Sequence, residues 1–480
     1  MESILDLIII ISSFVLLLGV IVGIHELGHF SAARYFNIYV IRFKIGFGKT
    51  FFKRFDKHGT EFSFGILPLG GYVQMLGEAS SQEEDVQVDT EVEVQKKISY
   101  KEATLGARAI VTAAGPMANF ILAIVAYFFI FLIGAKELAP IVGGVEPNTL
   151  ASEINLGIGD KIVSIDNNEV ISFNDVNGYL ASRIGETGVL RIASIPEGSN
   201  VSITKEISIQ SWLKGVSQTS PVASFGISPF IPALVSSVQD GGPADKAGIL
   251  KGDIIISVDG SKIQTWNQLS QNLSSKLNKV ISIEVDRRGQ RINFRLTPNR
   301  VSSENGTERG VIGIMRLSSL DDLPEYLLID NKENIAGAFL KAISQTYKFI
   351  VLILDSIGKM ISGSVSADNI GGPIQISLLA GSAAKAGLVS FLSMLAILSI
   401  NLGLINLFPI PILDGGQLVL IAIEKIKGSP VSDSFLEYSF RLGILMVASL
   451  MVFAIFNDIV KIILCLNLKL LHYFLVVSCF

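Results

Sequence analysis

The chain has 480 residues, of which 49% are hydrophobic and 17% charged, and its mean hydropathy is +0.52. Because soluble domains usually carry about 25% charged residues, this composition favours a membrane protein with water-exposed parts. The net charge of −4 gives no electrostatic reason to expect a nucleic-acid partner, and none is expected. The two cysteines, Cys465 and Cys479, lie in an apolar tail, which argues against a disulfide framework or a thiolate metal site.

The first apolar run, residues 5–24, is long enough to span a bilayer. Its leading residues include Glu2 and Asp6 but no Lys or Arg, whereas a signal peptide begins with basic residues. We therefore predict a transmembrane helix over residues 1–36. The basic residues that follow are Arg34, Arg42, Lys44, Lys49, Lys53, Arg54 and Lys57. By the positive-inside rule, that side faces the cytoplasm and the N-terminus lies outside.

The end of this run, GIHELGHFSAARYF (residues 23–36), holds His25, Glu26 and His29 in the order H-E-x-x-H. Residues four apart lie on one face of a helix, so both imidazoles can meet one cation. Glu26 can then reach a water on that metal and act as general base. The alternative is an ordinary polar helix end. Since a charged side chain at bilayer depth costs about 2.5–3.5 kcal/mol on insertion scales, three clustered polar groups favour catalysis.

A cytoplasmic-side loop is predicted over residues 37–108. Its part EFSFGILPLGGYVQML (residues 61–76) alternates and turns as a hairpin or β-ribbon does. The acidic, Gln- and Ser-rich piece at residues 78–95 indicates a solvated loop.

A second span is predicted over residues 109–134, and it should return the chain to the outside. It contains AAGPMANF (residues 113–120), in which small residues allow close helix packing. The single amide, Asn119, has two interpretations: a hydrogen bond that joins helices, or a contact with substrate.

The next stretch, residues 136–300, is polar and repeats itself at a constant offset of 93 residues. Gly159-Asp160 and Ile165-Asp166 of one copy match Gly252-Asp253 and Val258-Asp259 of the other. The copies, residues 136–220 and 221–300, resemble PDZ domains in their Gly-Asp and following strand. Asn167 replaces Gly260 at a turn position that tolerates a left-handed conformation. PDZ domains bind peptide C-termini by strand addition, and the alternative is that one or both copies are spacers or plugs with an unused groove.

The remaining elements complete a membrane protein. An amphipathic helix on the membrane surface is predicted over residues 334–363, followed by a Gly-Pro loop at residues 369–376. The third span covers residues 386–416 and the fourth residues 440–458, whereas the apolar tail at residues 459–480 is not placed. We therefore predict a polytopic α-helical membrane protein. It has about four transmembrane helices, a membrane-associated β-ribbon and two tandem PDZ-like α/β domains.

A third metal ligand is needed, because catalytic zinc takes three protein ligands and a water. Asp414 follows the third span on the same side of the membrane as the histidines. Pro409 and Pro411 break the helix there, and the two glycines after Asp414 allow close backbone approach. Asn406 can hydrogen-bond a substrate backbone or an oxyanion. The alternative for Asp414 is a helix cap or turn residue.

These motifs together resemble the site-2 protease family of intramembrane zinc metalloproteases, in its bacterial form with two PDZ domains. The resemblance covers H-E-x-G-H in the first span, GPxxN in the second and N-x-x-P-x-P-x-L-D-G in the third. It implies one zinc ion per chain on His25, His29 and Asp414, with Glu26 as general base. It also implies that the ribbon at residues 65–75 pairs with substrate as an added strand. The residues expected to contact substrate are Asn406, Pro409, Gly70, Gly71 and Asn119.

The resemblance further implies substrates that are single-span membrane proteins, such as anti-sigma factors, and remnant signal peptides. It implies a multi-pass protein of the bacterial inner membrane, with the PDZ-like domains outside and the active site near the cytoplasmic side of the lipid bilayer. The alternative is a catalytically inactive membrane PDZ adaptor or chaperone. A weaker one is a metal transporter. Replacing Glu26 by Gln separates both from a protease.

Overall fold

The computed structural model describes residues 2–77, 98–216, 220–302, 308–317 and 320–471. The acidic piece at residues 78–95, expected to be a solvated loop, lies outside the described residues. The chain divides into two compact units. The first unit comprises Met1–Gly134, Lys332–Leu354 and Ile370–Ile459, and the second comprises Ala135–Asn331, Asp355–Asn369 and Val460–Phe480.

Long helices make up most of the first unit, and short helices lie in the second. In chain order the helices are α1 (Glu2–Tyr35), α2 (Leu105–Ile133), α3 (Leu150–Glu153), α4 (Phe173–Ser182), α5 (Pro221–Phe225), α6 (Pro243–Ala247), α7 (Trp266–Ser274), α8 (Ile335–Ile361), α9 (Pro373–Lys385), α10 (Leu388–Asn406), α11 (Asp414–Lys427) and α12 (Asp433–Leu471). Short 3₁₀ turns occur at Leu320–Asp322, Glu325–Leu327 and Ala367–Asn369.

The strands are short except for the first two. In chain order they are β1 (Val40–Phe55), β2 (Glu61–Met75), β3 (Lys136–Leu138), β4 (Val142–Val145), β5 (Lys161–Ile165), β6 (Asn168–Glu169), β7 (Gly188–Ile195), β8 (Ile203–Ile209), β9 (Ile227–Pro229), β10 (Ser237–Val238), β11 (Ile254–Val258), β12 (Ser261–Lys262), β13 (Ile281–Arg287), β14 (Gln290–Leu296), β15 (Asn299–Ser302), β16 (Glu308–Val311), β17 (Ile314–Met315) and β18 (Leu328–Asp330).

Five of the described helices are long and apolar enough to cross a membrane: α1, α2, α8, α10 and α12. Four of them fall in the segments that the sequence predicted as spans. The fifth is α8, the helix expected to lie on the membrane surface, and it is the least apolar of the five. It packs on α2 near its middle, where Phe349 stacks on Tyr127 with ring centroids 5.9 Å apart. The surface location of α8 stays a prediction.

The predicted Gly-Pro loop at residues 369–376 is wrong in its second half. Pro373 begins α9, and proline is well suited to a first helical position because its missing N–H is not needed there. The backbone N–H groups of Gly372, Ile374 and Gln375 donate to the buried carboxylate of Asp458 in α12. A side chain from a distant helix therefore caps the start of α9.

The last two helical regions also differ from the predicted segments. The third span, residues 386–416, contains α10, a turn and the start of α11. The fourth, residues 440–458, lies inside the longer α12, which continues through the part of the apolar tail that the structure describes.

The β-ribbon folds into four paired segments. Residues 40–45 pair on one side with residues 71–75 and on the other with residues 61–64, which in turn pair with residues 52–55. The inner face packs on α1, where Phe30 meets the rings of Phe43 and Phe62 at centroid distances of 5.5 and 5.4 Å. Residues 71–75 form an outer segment, and no other described strand pairs with the outer edge of residues 71–74.

The second unit contains two PDZ domains with the same sheet order, β6-β5-β7-β8 in the first and β12-β11-β13-β14 in the second. Each has its own core, with Phe225 fully buried in the first and Ile255 in the second. The repeated aspartates act alike, since Asp160 accepts the Gly157 N–H and Asp253 accepts the Leu250 N–H. This repetition confirms the tandem architecture expected from the sequence.

The predicted left-handed turn is present in both PDZ copies. Asn167 has φ 67° and Gly260 has φ 78°. Asn is one of the few residues with a side chain that adopts this conformation readily, which explains why it can replace Gly.

Candidate active site

The H-E-x-x-H stretch forms the last turns of α1, as its spacing predicts. His25, Glu26 and His29 are all buried, at 7%, 7% and 8% exposure. The Nε2 atoms of the two histidines face each other 3.2 Å apart. Both imidazoles therefore point to one small volume beside α1.

Asp414, the first residue of α11, completes this cluster. Its Oδ2 lies 3.3 Å from Nε2 of His25, and its Oδ1 lies 3.4 Å from Nε2 of His29. The chain reverses tightly before Asp414. As a consequence, a Cβ on Gly415 would lie 2.2 Å from the carbonyl oxygen of Leu407. The glycine thus allows the approach that brings the carboxylate to the histidines.

The three side chains fit a tetrahedral metal ion. Ligand atoms at about 2.0–2.1 Å from zinc lie about 3.3–3.4 Å from one another in a tetrahedron. The three observed separations are 3.2, 3.3 and 3.4 Å. The buried Oδ2 of Asp414 also accepts no hydrogen bond from any described residue, which is costly unless a cation neutralises it. Two imidazoles and a carboxylate are the donors that catalytic zinc uses.

Helix α2 contacts the imidazoles of both histidines. Nδ1 of His29 lies 2.8 Å from the carbonyl oxygen of Val111, so it carries the proton and leaves Nε2 free to bind a metal. A Cβ on Gly115, one turn later, would lie 2.2 Å from Nε2 of His29. One more turn along, the fully buried Asn119 places its Nδ2 atom 3.3 Å from Nδ1 of His25.

The turn after α10 places Asn406 at the cluster and leaves Pro409 outside it. Nδ2 of Asn406 lies 3.3 Å from Nε2 of His25, on the metal-binding side of that imidazole. Pro409 is exposed within the turn, and no described contact joins it to the histidines or to Asp414.

The two ribbon glycines differ in their surroundings. A Cβ on Gly71 would lie 3.0 Å from Cγ of Glu26, so the outer ribbon segment passes directly beside the expected general base. Gly70 lies instead against the ring of Phe47. The ribbon and the H-E-x-x-H helix therefore form one site.

Sequence reasoning missed Val111 and Gly115. A backbone carbonyl has no residue-type signal, so Val111 was not identifiable from the sequence. Gly115 lies in the stretch whose small residues indicated close packing, although the partner was not evident. That partner is the imidazole of His29.

A buried His-His-Asp cluster, assembled from two apolar segments beside a glutamate, defines a membrane-embedded metallopeptidase. The family comparison agrees with this class. The chain belongs to peptidase family M50, whose model matches residues 13–450. The resemblance drawn from the three motifs is thereby confirmed.

Curated relatives cover nearly the whole chain. The regulator of sigma-E protease RseP of Escherichia coli K12 is 36% identical over 451 residues, which are 93% of this chain and 98% of the relative. The regulator of sigma E protease of Haemophilus influenzae is 36% identical over 454 residues, 94% of this chain and 98% of the relative. The name of a Vibrio cholerae relative, 33% identical over 452 residues, includes the words zinc metalloprotease.

Among solved structures, the PDZ domain of an SdrC-like protein from Listeria monocytogenes matches 20% of this chain at 23% identity. The match covers 95% of that domain with a TM-score of 0.16. The PDZ assignment here stands on the repeated sheet order and paired aspartates.

Proposed function

We propose that the chain hydrolyses peptide bonds within or near the transmembrane segments of single-span membrane proteins. The single observation that carries this proposal is the convergence of His25, His29 and Asp414 at the end of a helix long enough to span a membrane. As an M50 peptidase, the chain is a zinc metalloprotease, and these three side chains are the ligands that we assign to its zinc.

The roles of the residues follow from their positions. When bound, zinc would lower the pKa of a water towards neutrality and would polarise a substrate carbonyl. Glu26, adjacent to the first histidine in the motif, would act as the general base that accepts a proton from water and donates it to the leaving amine. Asn406 donates its N–H to the substrate carbonyl, since its amide lies on the open side of His25.

Substrate presentation uses the ribbon. A transmembrane helix keeps its carbonyls in i→i−4 bonds, so a bond to be cut must first leave the helix. The outer segment at residues 71–75 passes beside Glu26, and no other described strand pairs with the outer edge of residues 71–74. A substrate strand added at that edge gains backbone hydrogen bonds that offset the cost of unwinding.

In our proposal the PDZ domains bind peptide C-termini. In the first, a cleft of about 360 Å³ lies between α4 and β9, and its lining includes Phe173, Asn177, Val222, Ile227 and Pro229. A peptide C-terminus added along β9 would place an apolar side chain there. We infer the anti-sigma-factor class of substrate because the RseP relatives are named regulators of sigma-E. The basic residues after α1 support an inner-membrane orientation with the PDZ domains outside and the active site near the cytoplasm.

The substitution Glu26→Gln tests the proposal. We expect proteolysis to fall by at least about 10²- to 10⁴-fold, the usual value of a general base, while zinc content stays at one ion per chain. The readout is cleavage of a purified single-span substrate together with metal analysis. The membrane proteome of cells that carry the variant should accumulate single-span fragments.

Glu61→Gln is the matched control, because Glu61 pairs with Arg42 in the ribbon, with 3.0 Å between Oε1 and Nε of the arginine. An inactive PDZ adaptor would keep its cellular phenotype with Glu26→Gln, and a zinc transporter would keep transport in vesicles. Either result would overturn the proposal.

A further inference from the structure

The carboxamide of Asn119 is completely buried at the back of the metal cluster. Its side chain is 0% exposed, and its Nδ2 atom lies 3.3 Å from Nδ1 of His25. Its Oδ1 atom accepts no hydrogen bond from any described residue. The Oγ of Ser399 in α10 donates to the backbone carbonyl of Asn119, not to its side chain.

The tautomer of His25 determines whether its Nδ1 atom needs the oxygen or the nitrogen of the Asn119 amide as its partner. Nε2 of His25 faces Nε2 of His29 and the carboxylate of Asp414, so Nε2 is the nitrogen that must be free of a proton. The neutral imidazole then carries its proton on Nδ1 and needs an acceptor there. Rotating the Asn119 carboxamide by a half-turn leaves its shape unchanged and exchanges the positions of Nδ2 and Oδ1. Oδ1 then accepts a hydrogen bond from the proton on Nδ1 of His25.

One face of α2 contacts both histidines. Val111, Gly115 and Asn119 follow one another at intervals of four residues and so lie on one face of α2. Val111 offers a carbonyl oxygen to His29, Gly115 leaves room for the imidazole, and Asn119 offers an amide to His25. Partners of this kind orient a metal-binding imidazole and set its tautomer.

We propose that Asn119 is a positioning residue that fixes the ring orientation and tautomer of His25, in place of the substrate contact expected from the sequence. This inference rests on the proposed zinc site. Asn119 is fully buried and lies at Nδ1 of His25, whereas Asn406 lies at Nε2, the side that faces the metal cluster.

The test compares three variants of the full chain in detergent. Asn119→Leu keeps the approximate volume but removes the acceptor, and Asn119→Asp keeps an acceptor. Ser399→Ala disturbs the same turn of α2 without touching the amide. We measure the zinc dissociation constant by competition with a chelator, the thermal midpoint of the metal-free chain, and KM and kcat for a single-span substrate.

We expect zinc to bind about 10- to 100-fold more weakly in Asn119→Leu, which is the usual effect of losing a hydrogen-bond partner of a metal-binding histidine. The thermal midpoint of the metal-free variant should stay close to that of the wild type. Asn119→Asp should restore zinc affinity, and Ser399→Ala should leave it unchanged. If Asn119→Leu lowers the metal-free midpoint strongly, the comparison is made with Asn119→Ala and Asn119→Asp instead.

Wild-type zinc affinity in Asn119→Leu together with a raised KM would assign Asn119 to substrate and overturn the inference. Equal zinc loss in the Leu and Asp variants would overturn it as well. The proposed function fails separately, and visibly, if the wild-type chain holds no zinc or if Glu26→Gln remains active.

Discussion

Gly115 of α2 lies directly against the imidazole of His29 in α1, and a Cβ at that position would be 2.2 Å from Nε2 and 2.6 Å from Cε1. These distances are far inside van der Waals contact. The space beside Nε2, the nitrogen that we propose as a zinc ligand, therefore exists because residue 115 has no side chain.

Gly115→Ala should accordingly displace His29 and abolish tight zinc binding. Gly106→Ala is the matched control, since Gly106 lies in the first turn of the same helix and a Cβ there meets nothing within 4 Å. The control should bind zinc normally and gain up to about 1 kcal/mol of helix stability, because alanine is the better helix former. Metal analysis of both purified variants tests this prediction. A Gly115→Ala chain that holds a full complement of zinc would show that a side chain at this position does not displace His29.

The N-terminus of α9 depends on Asp458, which is 2% exposed and accepts three backbone N–H groups from residues 372–375. Asp458→Ala leaves these donors buried without a partner, so we expect a loss of roughly 1–3 kcal/mol or more. Asp458→Asn, which keeps one acceptor oxygen, should be intermediate. The exposed Asp433, at the start of the same helix, supplies the control Asp433→Asn. Thermal unfolding in detergent measures the order of the three variants.

The helix that begins with Asp414 is tied to α2 by Arg108 and Glu424. Nη1 of Arg108 lies 3.1 and 2.9 Å from the two carboxylate oxygens, and both side chains are mostly buried. Either Arg108→Glu or Glu424→Arg should destabilise the first unit by roughly 1.5–3 kcal/mol, because each leaves like charges together. The double exchange should recover most of that loss in thermal unfolding. Additive losses in the double variant would show that the pair does not act as a unit.

Asp259 in the second PDZ domain should make stability depend on pH in the acid range. Its hydrogen bonds with Lys276 Nζ, at 2.8 Å, and with the Ser282 N–H hold its pKa below the ordinary value of 3.8. Since the folded-state pKa is the lower one, the carboxylate stabilises the domain above pH 3.8. That stabilisation is lost as the pH falls through the folded value.

Asp259→Asn removes this contribution and keeps the turn, because asparagine tolerates the φ of 49° found there. The variant should therefore lose part of the acid-dependent stability change of the wild type. Unfolding of the full chain at a series of pH values from about 3 to 6 measures it. Identical pH curves for variant and wild type would show that this hydrogen-bonded pair does not contribute.

The sequence by itself determined the parts of the site whose chemistry is local. His25 and His29 are four residues apart, and the period of a helix places them on one face wherever that helix lies. Asp414 was a candidate ligand because an acid at the end of an apolar run is costly to bury unpaired, although a helix cap or turn was the alternative. The PDZ pair was identifiable because a repeat is visible without knowing any contact.

Only the tertiary structure decided what surrounds these residues. The acceptor for His29 is a backbone carbonyl 82 residues away, and the amide at His25 is 94 residues away. Neither has a local pattern, since a backbone carbonyl is common to all residues and one amide in an apolar helix fits several roles. The start of α9 was missed for the same reason, because its capping carboxylate, Asp458, lies more than 80 residues further along the chain. Local spacing determines which groups share a helix face, whereas the packing of distant helices determines which partners those groups meet.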